Sequence, residues 1–163
     1  MKPKPDFLAI LQTLAKHQVD FIVVGGVGAV LQGAPISTFD LDVVHSRTGE
    51  NVDRLLAALE ALDAHYRTTG TREIAPGESH LSSSGHLLLT TRFGPLDLLG
   101  AIGQGRGHGE LLGRTVKMKV GAGLSVRVLD LATIIKVKEE AGKEKDRAAL
   151  AVLRRTLEEK SKS

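Results

Sequence analysis

The chain has 163 residues, 42% of them hydrophobic but only 3% aromatic, with no cysteine and a formal net charge of +3. Without Cys there is no disulfide framework, no thiol nucleophile and no Cys-based zinc site, and the core must come from Leu, Val, Ile and Ala. The start, MKPKPDF, lacks the apolar run of a secretory signal and no stretch approaches a membrane span, so the expectation is a soluble, cytoplasmic protein.

The first predicted element is a helix over Phe7 to His17, with Phe7, Ile10, Leu11 and Leu14 at helical spacing and Asp6 as N-cap. Phe21 to Val24 is a short apolar run of β-formers and reads as a buried strand. Gly25-Gly26 breaks it, and Val27 to Gln32 suits a short helix stopped by Gly33. A second strand follows around Leu41, Val43 and Val44, carrying Asp40 and Asp42. Asn51 to Leu62 is an amphipathic helix, with Val52, Leu55, Leu56, Leu59 and Leu62 on one stripe. Residues 63–85 are polar and show no period, with room for one edge strand near Tyr66 to Thr69.

Leu87 to Arg92 and Leu96 to Leu99 read as a hairpin turning at Phe93-Gly94-Pro95. Gly at 100, 103, 105, 107 and 109 is incompatible with a regular element and implies a mobile connector. Two strands, Thr115 to Val120 and Leu124 to Val128, flank the Gly121-Ala-Gly123 turn. A helix over Leu129 to Ala141 places Leu131, Ile134, Ile135 and Lys138 on one side and stops at Gly142. The last helix runs from Lys145 to Lys160, with Ala149, Val152, Leu153 and Leu157 as its apolar stripe. This order predicts an α/β (α+β) fold: a small mixed sheet, helices packed on it, and a helical tail. One domain over residues 1–163 is expected, with its core at about 5–128 and its tail at about 129–160.

Chemistry concentrates in FIVVGGVGAVLQGAPISTFDLDVV, residues 21–44. Carboxylates two apart on a strand point the same way and repel, so Asp40 and Asp42 call for a cation between them. Mg²⁺ or Mn²⁺ suits such oxygen ligands together with substrate phosphates. Asp97 lies in the otherwise apolar run Leu96-Asp-Leu-Leu99, where an ionised carboxylate is costly unless paired or metal-bound. Three carboxylates on adjacent strands can hold two metal ions, with Asp97 near the nucleophile as general base. Each feature has a plain counterpart: a capping or ion-paired Asp, a chance pair, an ordinary Gly-Gly turn. The order Gly-Gly, D-x-D, lone strand Asp is what lifts them together.

In that order the sequence resembles the nucleotidyltransferase superfamily with the DNA polymerase beta-like fold. It looks most like the small bacterial members related to toxin components of type IV toxin–antitoxin systems. The resemblance implies that Gly25, Gly26 and Thr38 lie against nucleotide phosphates and that Asp40, Asp42 and Asp97 bind metal. The tail, VRVLDLATIIKVKEEAGKEKDRAALAVL, is similar as well. It implies Lys136 or Lys138 near the triphosphate, with Lys145 and Asp146 locking the tail to the core. Two departures stand out: Gly26 where many members have Ser, and Ile36 where relatives often have Arg. The tail region is basic, residues 101–163 holding 14 Lys/Arg against 8 Asp/Glu, which suits either a polyanionic ligand or a solvated helix surface.

Rival motifs fit less well. Gly26-Val-Gly28 is followed by Leu31 where a dinucleotide fingerprint needs its third Gly, and no Gly-Lys-Ser/Thr follows as in a P-loop. The six histidines show no metal-ligand spacing; His45 follows the acidic strand within reach of it, and Arg106 and His108 lie in the glycine segment where they would either fold over phosphates or merely connect. The expected activity is metal-dependent transfer of a nucleoside monophosphate from an NTP to a hydroxyl of RNA or tRNA, a protein or a small molecule such as an aminoglycoside. A toxin role with a cognate antitoxin as partner goes with it. The alternative is a catalytically inactive module of the same fold that binds nucleotide or a partner protein, which the Gly26 and Ile36 departures favour and the intact carboxylates oppose.

Overall fold

A computed structural model describes residues 4–67 and 74–162. Helix α1 (Phe7–Lys16) is capped by the Asp6 side chain, which accepts from the Ala9 N–H at 3.0 Å. Strand β1 (Phe21–Val24) runs directly into α2 (Gly25–Leu31), and β2 spans Leu41–His45. Then come α3 (Gly49–Ala61), β3 (His65–Tyr66) and α4 (Glu78–Ser82). The hairpin of β4 (His86–Thr91) and β5 (Gly94–Leu99) follows, then the short α5 (His108–Leu111). A second hairpin, β6 (Thr115–Gly121) and β7 (Leu124–Leu129), leads into α6 (Leu131–Ala141) and α7 (Arg147–Ser161).

The strands form one mixed sheet in the order β3-β4-β5-β2-β1-β7-β6. β1 pairs antiparallel with β2 and parallel with β7, and β2 pairs parallel with β5. Alternation along the central strands divides the core in two. Val23, Leu41, Val43, Leu96 and Leu98 face α1 and α3, where Ile10, Leu14, Val52 and Leu55 meet them. Ile22, Val24, Val44 and Leu99 face the other way, against Ala29 of α2, Ile134 of α6 and Leu153 of α7. Each fully buried Leu contributes about 2 kcal/mol, so the two layers clamp the sheet from both sides.

Two buried amides fix how elements meet. Asn51 accepts from the Asp20 N–H at 2.7 Å and donates to the Asp20 and Ser46 carbonyls at 3.1 and 2.8 Å. It thereby ties the entry of β1 to the exit of β2. Gln32 donates to the Gly28 and Leu129 carbonyls and accepts from the Leu131 N–H, joining the end of α2 to the β7–α6 junction.

Several expectations need correction. The glycine segment after β5 is not an open connector: Ile102 and Arg106 exchange both backbone hydrogen bonds, at 2.9 and 2.8 Å, and the Arg106 guanidinium grips Glu140 of α6 at 2.6 and 2.9 Å. In α7 Leu153 of the expected stripe is buried and Leu157 packs against the core, but Ala149 and Val152 are only half-buried, and Leu150 and Thr156 are buried as well. Helix α4 arises in a stretch without sequence period. The expected edge strand begins at His65, and its Thr68 and Thr69 lie outside the described residues.

Candidate active site

The parallel pairing of β2 with β5 sets the site. Asp42 and Asp97 are register partners, so their side chains leave the sheet on the same face, side by side. On the other flank Asp42 is opposite Val24, the residue before Gly25. Asp97 is 8% exposed. Asp40 stands one residue before β2, partly buried, and acts on Asp42 through its charge.

Burial is the main reason that the Asp42 carboxyl is pushed up to about 7; repulsion from Asp97, a hydrogen bond shared with it, and the charge of Asp40 add to this, while Lys138 opposes. This is the electrostatic signature of a position that wants more positive charge. Some is already present. Arg67, just past β3, donates Nη2–H to Asp97 Oδ1 at 2.6 Å and to the Leu89 carbonyl at 2.9 Å. Sequence reasoning gave no sign of Arg67: it sits in the stretch without period, 30 residues from its partner.

The glycine turn is shaped by what it touches. Gly25 has φ +62°, and a Cβ there would run into Asp42 Oδ2. A Cβ on Gly26 would lie 2.7 Å from Thr38 Oγ1. The Thr38 hydroxyl therefore occupies the place beside the turn that a side chain at position 26 would fill; it also donates to the Asp40 carbonyl at 3.3 Å. Gly25, Gly26, Thr38, Asp42 and Asp97 thus form one surface.

The two lysines separate. Lys138 lines a cavity of about 170 Å³ with Asp42, Gly25, Ile134 and Val137, and its Nζ lies 3.5 Å from Asp146 Oδ1. Lys136, two residues earlier on α6, is exposed and acts electrostatically on Glu140 instead. Asp146 holds α7 to α6 through Lys138, while Lys145 is exposed.

Three other residues weighed for the site lie elsewhere. His45 is 1% exposed and three residues from Asp42, hence on the opposite face of β2; its Nε2 donates to the Leu81 carbonyl at 2.8 Å, and burial lowers its pKa so that the ring is neutral. Arg106 is engaged with Glu140. His108 lines a separate cavity of about 480 Å³ with Asp20, Lys117 and Arg127, at the far end of β1.

A hard divalent cation fits the donor chemistry of the Asp42–Asp97 pair: adjacent carboxylate oxygens, and burial and repulsion that raise a pKa. The fit is partial, because among the described residues no group of three or more His, Cys, Asp or Glu side chains is placed to hold a metal ion. Asp42 and Asp97 would have to be completed by Asp40 or by ligand oxygens.

The sheet and its packed helices have a nucleotidyltransferase-like fold, which solved structures share. A Thermotoga maritima protein assigned as a nucleotidyltransferase, TM1012, superposes with a TM-score of 0.58 at 18% identity, covering 94% of this chain and 91% of its own. The antibiotic-resistance enzyme ANT(2″)-Ia, solved with adenylyl-2″-tobramycin, gives 0.58 at 16%, covering 92% and 84%. The lincosamide adenylyltransferase LnuA, solved with lincomycin, gives 0.61 at 13%, covering 91% and 94%. At these identities the likeness is one of fold. No family model matches the chain, and no curated protein matches it in sequence. No helix among the described residues is long and apolar enough to cross a membrane.

Proposed function

We propose that the protein transfers a nucleoside monophosphate from an NTP to a hydroxyl group, releasing pyrophosphate. The observation that carries this reading is the in-register pairing of Asp42 with Asp97 beside the Gly25 turn, on this fold. Asp42 and Asp97, with Asp40, would hold Mg²⁺ or Mn²⁺ together with triphosphate oxygens. The ion would neutralise phosphate charge and make the acceptor hydroxyl more acidic. The chain's own residues do the rest. Gly25 and Gly26 let the turn lie close against Asp42 and Thr38, and Thr38 Oγ1 offers the hydroxyl that position 26 lacks. Lys138 brings a positive charge to the same side as Asp42, held in place by Asp146. Asp97, fixed by Arg67 at one oxygen, has its other oxygen for the metal or the acceptor proton.

Likeness to two antibiotic-modifying enzymes supports a small-molecule hydroxyl as acceptor. Resemblance to the toxin nucleotidyltransferases supports RNA or protein, and with it an antitoxin partner. The deciding experiment incubates the protein with each NTP labelled at the α-phosphate, Mg²⁺ or Mn²⁺, and in turn total RNA, lysate protein and a panel of aminoglycosides and lincosamides. Label on one acceptor class, lost in Asp42→Asn, is the expected result. Label on none of them, with no thermal stabilisation by metal and NTP, would leave the inactive binding module as the better reading. If the acceptor is RNA or protein, induced expression should arrest bacterial growth, and Asp42→Asn should relieve it.

A further inference from the structure

We propose that the cavity at the far end of β1 binds a small phosphate monoester, with its phosphate held between Lys117 and Arg127 and its body against apolar wall. This second site does not depend on the nucleotidyl-transfer reading.

Strand register here places two like charges side by side. Lys117 of β6 and Arg127 of β7 are direct cross-strand partners, so their side chains leave the sheet on one face, with Cβ atoms about 5 Å apart. Like charges so placed destabilise a sheet unless something answers them. Among the described residues neither makes an ion pair, and Arg127 only donates to Thr115 Oγ1 at 3.3 Å. Both line the cavity of about 480 Å³. Asp20, the carboxylate that lines it with them, has a side chain 63% exposed and lies 3.9 Å from Arg54. Protection of a sheet edge accounts for a lysine on the outer strand β6. It does not account for Arg127, because β7 is paired on both sides, with β1 and with β6.

The rest of the lining suits an organic phosphate better than a bare ion. His108 of α5 reaches the same cavity; burial lowers its pKa, Asp20 opposes this and Arg127 adds to it, so the ring is neutral. A neutral imidazole has one N–H to give to a phosphate oxygen. Phe21, Val126 and Leu112 add apolar surface, and Leu112 is left 40% exposed. A phosphate monoester carries about −1.5 to −2 charges near neutral pH, which answers two fixed cations. The cavity shares no lining residue with the one at Asp42 and Lys138. Its Phe21 is three residues, or about 10 Å, along β1 from Val24 and the glycine turn.

The test titrates phenyl phosphate into the full chain, with EDTA and without nucleotide, by calorimetry and phosphorus NMR. Wild type should bind one equivalent, saturating below about 10 mM. Sulfate, with similar charge and no apolar body, should bind about fivefold more weakly or worse. Lys117→Glu and Arg127→Gln should each weaken phenyl phosphate binding about tenfold or more, while Asp42→Asn should bind it as wild type does. Without ligand, Lys117→Glu should melt about 1–4 °C above wild type, since an opposed like-charge pair becomes an ion pair. A purely structural pair would not link a rise in melting temperature to a loss of binding. No saturable binding by wild type, equal binding of sulfate, unchanged binding in both variants, or a lower melting temperature for Lys117→Glu would each overturn the inference and leave the nucleotidyltransferase reading untouched. Binding lost in Asp42→Asn instead would put the phosphate at the paired acids, overturning this site and supporting that reading. Should Arg127→Gln not fold, Lys117→Glu decides.

Discussion

Strands β2 and β5 present opposite contents on their two sides. One side shows Leu41, Val43, Leu96 and Leu98, each 0 or 1% exposed and closed over by α1 and α3. The other shows Val44 and Leu99 under α2, α6 and α7, but Asp42 and Asp97 one pleat away. Even the titratable groups divide. His45, on the closed side, is buried with Nε2 on one carbonyl and Nδ1 without a partner among the described residues, whereas Asp42 and Asp97 are forced together and draw Arg67 and Lys138 toward them. A shift of a single residue along the strand separates a group that only has to be buried from one that has to be charged. The closed side sets stability; the open side spends some of it to keep two carboxylates adjacent.

Asp42→Asn breaks the comparison most sharply, because it should move activity and stability in opposite directions. Nucleotidyl transfer should fall by about a thousandfold or more, as for loss of a metal-holding, transition-state group. Stability without metal should rise at pH 8. The sign follows from the shift: a carboxyl raised to about 7 in the fold, from an ordinary 3.8, favours the fold when protonated. That contribution is complete below about pH 4 and is lost as pH rises through about 7. Metal-free wild type should therefore lose about 1–3 kcal/mol between pH 4 and pH 8 relative to Asp42→Asn, measured by urea unfolding at each pH. Equal pH profiles for the two proteins would remove the electrostatic argument for the site.

Leu98→Ala tests the other side. Leu98 is 0% exposed and adjacent in sequence to Asp97, yet points away from it. The substitution should cost about 3 kcal/mol through lost burial and a cavity, seen as a lower melting temperature. Activity per folded molecule below that temperature should stay within about twofold, since no ligand-facing group moves. A large drop in turnover with the fold intact would mean that the two sides are coupled.

What the sequence disclosed follows the same division. Asp40, Asp42 and Asp97 stood out because charge inside an apolar run is visible without knowing the fold, and the hairpins and amphipathic helices because their periods are local. Asn51 and Gln32 were not legible as buried clasps: a polar residue on a helix looks the same whether it meets water or three backbone groups. Arg67 was hidden for a related reason, since its partner is fixed only by β3 pairing with β4 and β4 with β5. The glycine segment misled because turn-forming residues mark the absence of regular structure, not the presence of the Arg106–Glu140 clasp that closes it. Of the two lysines weighed for the phosphates, only helical phase, about 200° between positions 136 and 138, turns one to the cavity and the other to solvent.

The finest distinction concerns Gly26 and Thr38. With a Cβ at position 26 only 2.7 Å from Thr38 Oγ1, the two positions compete for one space. Gly26→Ser, the residue many nucleotidyltransferases of this resemblance carry, should therefore lower stability by about 1–2 kcal/mol through overpacking, rather than improve phosphate binding. Thr38→Ala alone removes the hydroxyl and should weaken NTP binding several-fold, for a loss of about 1 kcal/mol. In the double variant the serine has the space and supplies the missing hydroxyl, so NTP affinity and melting temperature should both recover toward wild type. That non-additivity, measured as a double-mutant cycle on NTP affinity with Mg²⁺ present, is what exchange of one hydroxyl for another requires. Strictly additive losses would mean that Thr38 packs against the turn without serving the phosphates, and that Gly26 is a true departure from the pattern.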